Sequence, residues 1–238
     1  MHSPRKIHRA RLSESSNLSF LKGRISSPLT LPSGRLNGPL PTVLDVTSGC
    51  GARGYDPLVY GVIFDELEKF VVRETGHTGL ARIQNLTGRG AAGYELEKTY
   101  PDDDLGVIVR GLAEATGRPA AQIVEEFGMA MVPGLLEVYG FLVNPRWSFI
   151  DFLLNTEDVI HRGVKLHTPN AKPPQLQVER AGPASVLITY RSKRALCPLA
   201  KGIIRGAAAH YHVDITLSEE RCMLRGDPEC LITVSGEI

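Results

Sequence analysis

The chain has 238 residues, 42% of them hydrophobic, and a formal net charge of +1. That length predicts one large domain, or one domain plus a tail, with enough apolar side chain for a sizeable core. No apolar run approaches the roughly 18 residues of a membrane helix, and no apolar stretch follows the basic N-terminus as in a secretory leader. A cytoplasmic chain with no membrane partner is therefore expected. Four cysteines (Cys50, Cys197, Cys222 and Cys230) are too few for a disulfide scaffold at this size. In a reducing compartment, clustered thiols are candidates for metal or redox work.

Residues 1–57 hold eight Lys/Arg and three acids, which leaves 19 basic and 23 acidic residues in 58–238. The basic charges are scattered among six prolines and many serines. With no basic block and no aromatic interleaving, they argue against nucleic acid as a partner. The segment has no helical or strand period, so residues 1–58 read as a disordered basic extension and 59–238 as the folded domain. From Tyr60 the pattern changes. Ile63, Leu67, Phe70 and Val71 recur at helical spacing and Gly76 is a stop signal. A polar loop through TGRGAAGYE follows. Asp102, Asp103 and Asp104 then lead into a second helix, at the end where the helix dipole favours acids. Pro119 opens a third as a first-turn proline. Further helical stretches cover residues 133–139, 147–154 and 157–166. After Pro173 and Pro174 the period switches to two. QLQVER and SVLITYR, separated by the Gly182-Pro183 turn, form a predicted antiparallel pair. LAKGIIRGAAAHY reads as a helix with small residues on one side, suited to close packing. VDITLSE and ECLITVS are later strands. Helices first, then an antiparallel sheet with one helix crossing it, predict an α+β fold.

The residues that carry chemistry are few. His161 lies in TEDVIHRGVKLH, and 29 residues later come Tyr190, Ser192 and Arg194 in LITYRSKR. A neutral imidazole can ligate a metal. Two hydroxyls and a guanidinium at alternate positions of an extended segment point the same way and can hold carboxylates. Neither half decides alone: such histidines are usually packed or surface residues, and such triplets are common on exposed strands. Together they offer what a haem needs, one axial bond to iron and a grip on two propionates. Cys222 and Cys230 flank a Gly-Asp-Pro turn and Cys197 lies in LCPLA. These three thiols point to a structural Zn²⁺ with Glu219 or His212 as the fourth ligand, or else to buried free cysteines. Cys50 is expected to be uninvolved. No phosphate loop, dinucleotide fingerprint, nucleophile elbow or HExxH occurs. The chain reads as a binding protein, not an enzyme.

The combination resembles the H-NOX family, the haem-nitric oxide/oxygen-binding domains of bacterial sensors and of soluble guanylate cyclase. The resembling stretches are YGVIFDELEKFV, VEEFGMAMV, EDVIHRGVKLHTPNAKPPQL, ITYRSKR and GIIRGAAAHY. The resemblance implies haem b, with His161 as proximal ligand and Tyr190, Ser192 and Arg194 on the propionates. Pro174 would distort the macrocycle, and Ile63, Leu67, Met131 and Leu199 would line the distal pocket. Oxygen-binding members carry a distal tyrosine where this chain has Leu199, so the resemblance implies a dedicated nitric oxide sensor with O₂ disfavoured. NO at ferrous haem would weaken or break the bond to His161. With no output domain after Ile238, the signal would pass in trans to a histidine kinase, a diguanylate cyclase/phosphodiesterase or a chemotaxis protein. RALCPLA and RCMLRGDPEC resemble a bacterial subgroup with a zinc site. Cys197, Cys222 and Cys230 would be three of its ligands, and Glu219 stands where that subgroup has histidine. Val59-Tyr60-Gly61 occupies the family's Met-x-Gly start, which implies that residues 1–58 are a misassigned upstream extension. The alternative function is a haem-free zinc or thiol redox-sensing module.

Overall fold

The computed structural model describes residues 58–168 and 171–236. The basic segment 1–57, and Cys50 with it, lies outside them. A short ladder opens the fold: β1 (Leu58–Tyr60) pairs antiparallel with β2 (Thr99–Pro101), an element with too few residues to show a period. The chain turns directly into α1 (Gly61–Leu86). Only glycine fits at its start, because a Cβ on Gly61 would sit 1.9 Å from the Glu95 carbonyl oxygen. The expected stop at Gly76 is a break and not an end. Gly76 takes φ +71° and ψ −179°, but Leu80 and Ile83 beyond it still pack on the core, so the helix resumes.

α2 (Asp102–Thr116) carries its three aspartates in the first turn and closes on Gly117, left-handed at φ +70°. α3 (Ala120–Ala130) follows Pro119, which sits at the cap, one place before the expected first turn. α4 (Val132–Tyr139) comes next. α5 (Phe149–Asn155) starts with a capping box: the Asp151 amide donates to Ser148 Oγ (3.2 Å) and the Ser148 amide to Asp151 Oδ2 (3.0 Å). The two short helices expected around residue 156 are continuous. A π-helical turn (Thr156–His161) joins α5 to α6 (Arg162–His167). Such wide turns recur at functional sites.

The four-stranded sheet is antiparallel throughout, in the order β3-β4-β6-β5, with β3 Gln175–Gly182, β4 Ser185–Arg191, β5 Ile215–Arg221 and β6 Cys230–Gly236. α7 (Cys197–His210) crosses between β4 and β5 in sequence. The described residues form two cores. Phe64, Leu67, Phe70, Ile108, Leu112 and Phe127 fill the helical one. Val186, Ile188, Ile232 and Val234 of the sheet, with Phe149 and Leu153 of α5, fill the other. α7 belongs to both: Leu199 and Ile203 pack on the helical core, while Ile204, Ala207 and Ala208 pack in the sheet core. Its small residues give the close packing their pattern predicts. A Cβ on Gly202 would lie 2.0 Å from the Glu125 carbonyl oxygen of α3, and one on Gly128 would lie 2.4 Å from the Leu199 carbonyl oxygen. The fold is α+β, as expected.

Candidate functional site

Between the two cores lies a cavity of about 310 Å³, within the size range of small-molecule sites. Ile63, Val132 and Leu136 line it from the helical side, and Ile188 and Ile232 from the sheet. The lining is overwhelmingly apolar. Against that background His161, Tyr190, Ser192 and Arg194 all reach the same wall space, although 29 or more residues of chain separate the imidazole from the triplet. Pro174, Ile63 and Leu199 line the cavity as well. Leu67 and Met131 do not. Leu67, one turn beyond Ile63 on α1, is fully enclosed in the helical core, and Met131 is 1% exposed there. Helical period places Leu67 inside, and the helical core encloses both residues away from the cavity wall. Two tyrosines that sequence patterning does not single out, Tyr60 and Tyr139, also line the cavity. The Tyr139 hydroxyl is raised in pKa by burial and pairs with Thr168, the residue that follows α6.

His161 ends the π-helical turn. Its Nδ1 is 2.9 Å from Glu157 Oε2, one turn earlier, which leaves Nε2 as the ring atom available to a ligand. Glu157 is held from two further directions. The Leu176 amide of β3 donates to Oε2 (3.1 Å) and Lys165 Nζ to Oε1 (3.2 Å). Burial pushes the Glu157 carboxyl up, but its bonds to His161, Leu176 and Lys165 outweigh that and hold it at about 2.

The triplet is less regular than its spacing predicts. Only Tyr190 lies in β4; the strand ends at Arg191, and Ser192 and Arg194 sit in the turn beyond it. There Ser192 Oγ accepts the Arg194 amide (3.2 Å). Tyr190 is 2% exposed, and burial raises its hydroxyl pKa well above the usual phenol range even though Ser192 bonds to it. Arg194 Nε donates to Asp102 Oδ2 (2.9 Å) at the start of α2, and its NH1 to the Lys172 carbonyl (2.9 Å). The Arg194–Asp102 pair thus bridges the helical half and the sheet half. Burial raises the Asp102 pKa and Arg194 only partly offsets it; Asp102 Oδ1 accepts no hydrogen bond among the described residues.

A second cluster lies at the N-terminal end of α7. Ligand atoms of Cys197, Glu219, Cys222 and Cys230 all lie within 4.8 Å of one another. Cys197 Sγ is 3.6 Å from Cys222 Sγ, and all three thiols are buried. The alternation of β5 turns Ile215, Leu217 and Glu219 toward the sheet core. An irregularity between Glu219 and Arg221 then inserts one unpaired residue. Without it Arg221 would point inward; with it, Cys222 does. Burial and the neighbouring thiols push the Cys197 thiol up, so a metal would have to displace its proton. Glu219 Oε2 pairs with Lys201 (3.3 Å) and Arg225 (3.5 Å), while its buried Oε1 has no partner among the described residues. His212, the other fourth ligand considered, is not a member of the cluster.

An apolar cavity with an imidazole on one wall and hydroxyl and guanidinium donors on another fits a large flat group that carries carboxylates, such as haem. Three thiols and an orphaned carboxylate oxygen fit a single soft cation. Such an arrangement suits a module that binds a cofactor. The comparisons agree. A profile of the Haem-NO-binding family matches residues 60–219. The chain is 26% identical to an H-NOX protein from S. oneidensis whose structure was solved in the Fe(II)NO state (TM-score 0.72, covering 76% of this chain and all of that one). An unliganded Fe(II) H-NOX protein from K. algicida shares the fold at 20% identity (TM-score 0.67, covering 76% of this chain and 97% of that one). A soluble guanylate cyclase of Caenorhabditis elegans, gcy-33, is 23% identical over 161 residues, 66% of this chain. The chain spans only 17% of the length of that relative. This chain belongs to the Haem-NO-binding, or H-NOX, family of haem-based gas-sensor domains. Such a domain senses and does not catalyse. Among the described residues no helix is long and apolar enough to cross a membrane.

Proposed function

We propose that this chain is a haem-based nitric oxide sensor. In this reading His161 ligates the iron of haem b through Nε2. Tyr190, Ser192 and Arg194 would hold the propionates, Pro174 would bear on the macrocycle, and Ile63 and Leu199 would border the space for the gas. Haem, if bound here, would supply a ferrous iron able to take a diatomic gas, with His161 as its protein ligand. The observation that carries the preference for NO is Leu199 on the cavity wall. Retaining O₂ requires a hydrogen-bond donor near the gas, NO far less so, and a leucine side chain donates nothing. His161 stands on a π-helical turn continuous with α6, and Glu157 joins it to β3, so a change at the ligand would reach the sheet directly; the Arg194–Asp102 pair is a second link between the halves.

The sensing domain is residues 59–238, with 1–58 an upstream basic extension, in a cytoplasmic protein. It signals to a separate histidine kinase, diguanylate cyclase/phosphodiesterase or chemotaxis protein. The test is spectroscopic. Protein expressed with haem supply, reduced and then opened to air should form no stable oxy complex, yet bind NO at once. A persistent oxy spectrum overturns the NO assignment.

A second reading concerns the thiols and is supported by the orphaned Glu219 Oε1. Cys197, Cys222, Cys230 and Glu219 bind Zn²⁺, with a carboxylate in place of the subgroup's histidine. The 3.6 Å approach of Cys197 to Cys222 also supports thiol redox sensing. Metal analysis of the purified protein separates these. A protein with zinc and no Soret band would be the haem-free module.

A further inference from the structure

Glu157 is engaged three times. Its Oε2 is 2.9 Å from His161 Nδ1 and 3.1 Å from the Leu176 amide, and its Oε1 is 3.2 Å from Lys165 Nζ. Each partner comes from a different place. His161 ends the same π-helical turn, Lys165 lies in α6, and Leu176 lies in β3, two residues after Pro174. Local packing explains the Lys165 contact, a partly exposed ion pair with little energetic weight. It does not explain why one carboxylate oxygen is shared between an imidazole on the cavity wall and a strand amide 19 residues away.

The chemistry of metal-bound histidine supplies a reason. An imidazole that binds metal through one nitrogen needs its proton on the other. An acceptor there fixes the tautomer, the ring plane and the donor strength. A carboxylate is a strong acceptor for this purpose, since a charge-assisted hydrogen bond is about twice as strong as a neutral one. Because the acceptor is four residues before the ligand, the two share one face of the turn. The Leu176 amide prevents the carboxylate from swinging away, and it anchors the imidazole to the strand that follows Pro174.

We infer that Glu157 is a positioning residue for the axial ligand: it holds the His161 proton on Nδ1, aims Nε2 into the cavity, strengthens the ring as an iron donor, and ties it to β3. The inference rests on the haem reading. It assigns this chain a stiffer grip on iron than an unassisted imidazole would give. A ring freed from iron also stays held in place for recapture.

Resonance Raman spectra of the reduced, haem-loaded full chain test it, since the iron–histidine stretch reports donor strength and does not respond to stability alone. Glu157→Gln keeps the shape and an acceptor oxygen but loses the charge. Its stretch should fall below that of the wild type, and that of Glu157→Ala should fall further. Glu157→Asp, with the charge restored on a shorter arm, should recover part of the shift. Haem transfer to an acceptor globin should be ~10-fold faster from Glu157→Ala. An unchanged stretch in fully loaded Glu157→Gln and Glu157→Ala overturns the inference and leaves haem binding intact. A second measurement covers variants that load poorly. Nitrogen-15 shifts of the histidine ring in haem-free protein should report a proton on Nδ1 in wild type and a tautomer mixture in Glu157→Ala, which has no acceptor. The same tautomer in both overturns the inference without any haem. A wild-type chain that never develops a Soret band overturns the haem reading itself, a separate result.

Discussion

The cavity and the thiol cluster share one helix and solve opposite problems. Cys197 begins α7 and belongs to the cluster; Leu199, two residues on, lines the cavity. The cavity is roomy and apolar, and two of its polar groups are held by protein partners: His161 by Glu157 and Arg194 by Asp102. The cluster is compact, its thiols face one another, and it keeps one carboxylate oxygen with no partner among the described residues. A site for a large cofactor must be held open by surrounding structure, whereas a site for one ion needs only converging ligands. The first kind depends on how two cores are spaced, the second on the register of two strands.

Substitutions can separate the two sites. The largest effect is expected from His161→Ala: stable haem loading should disappear, returning when free imidazole is supplied, while the zinc content stays unchanged. Absorbance and metal analysis on one preparation check both halves. Cys222→Ser should do the reverse, taking bound zinc from about one ion per chain to near none with the haem spectrum retained. Loss of both sites together would mean that they are not independent. Gly202→Ala strikes the shared helix. The new methyl meets the α3 backbone, not a flexible side chain, so it should cost about 3 kcal/mol. At this size that is a fall of about 2–4 °C in Tm per kcal/mol, with haem and zinc affinity both weakened.

The smallest effect is expected at the bridge. Asp102 has a folded-state pKa raised above 3.8 by burial. The folded state therefore holds that proton more tightly than the unfolded chain. The resulting stabilisation is complete below 3.8 and is lost as pH rises through the raised value. Asp102→Asn should flatten the pH dependence of stability across that window, and acid denaturation curves of the two proteins check it.

Much of this was legible in the sequence. The helical period of α1, the switch to alternation after Pro174, the small-residue face of α7 and the α+β order all follow from side-chain pattern, because those patterns reflect which face each element must bury. His161 and the Tyr190, Ser192, Arg194 triplet were legible as a pair from their chemistry. The misses have one kind of cause. β1 and β2 are three residues each, too short for a period. Gly76 interrupts α1, but the apolar residues past it still find the core. Leu67 and Met131 are placed on the distal wall by the family resemblance, which carries a position over without showing what packs against it in this chain. Glu157 enters the sequence reading only as the first residue of a short helical stretch, and an acid four residues before a histidine was the available signal. The partner of Arg194, 92 residues away in sequence, carried no signal at all.

The sequence by itself determined the longer elements, the family resemblance and the identity of the chemically capable side chains, since these depend on local period and on functional groups. Tertiary structure alone decided which of them share a space. It set the gap between the two cores that makes the cavity, the irregularity in β5 that turns Cys222 inward beside Cys197 and Cys230, and the strand amide that holds Glu157 on His161. The physical reason is that proximity across the fold is produced by packing and register summed over the whole domain, and no window of residues contains that sum.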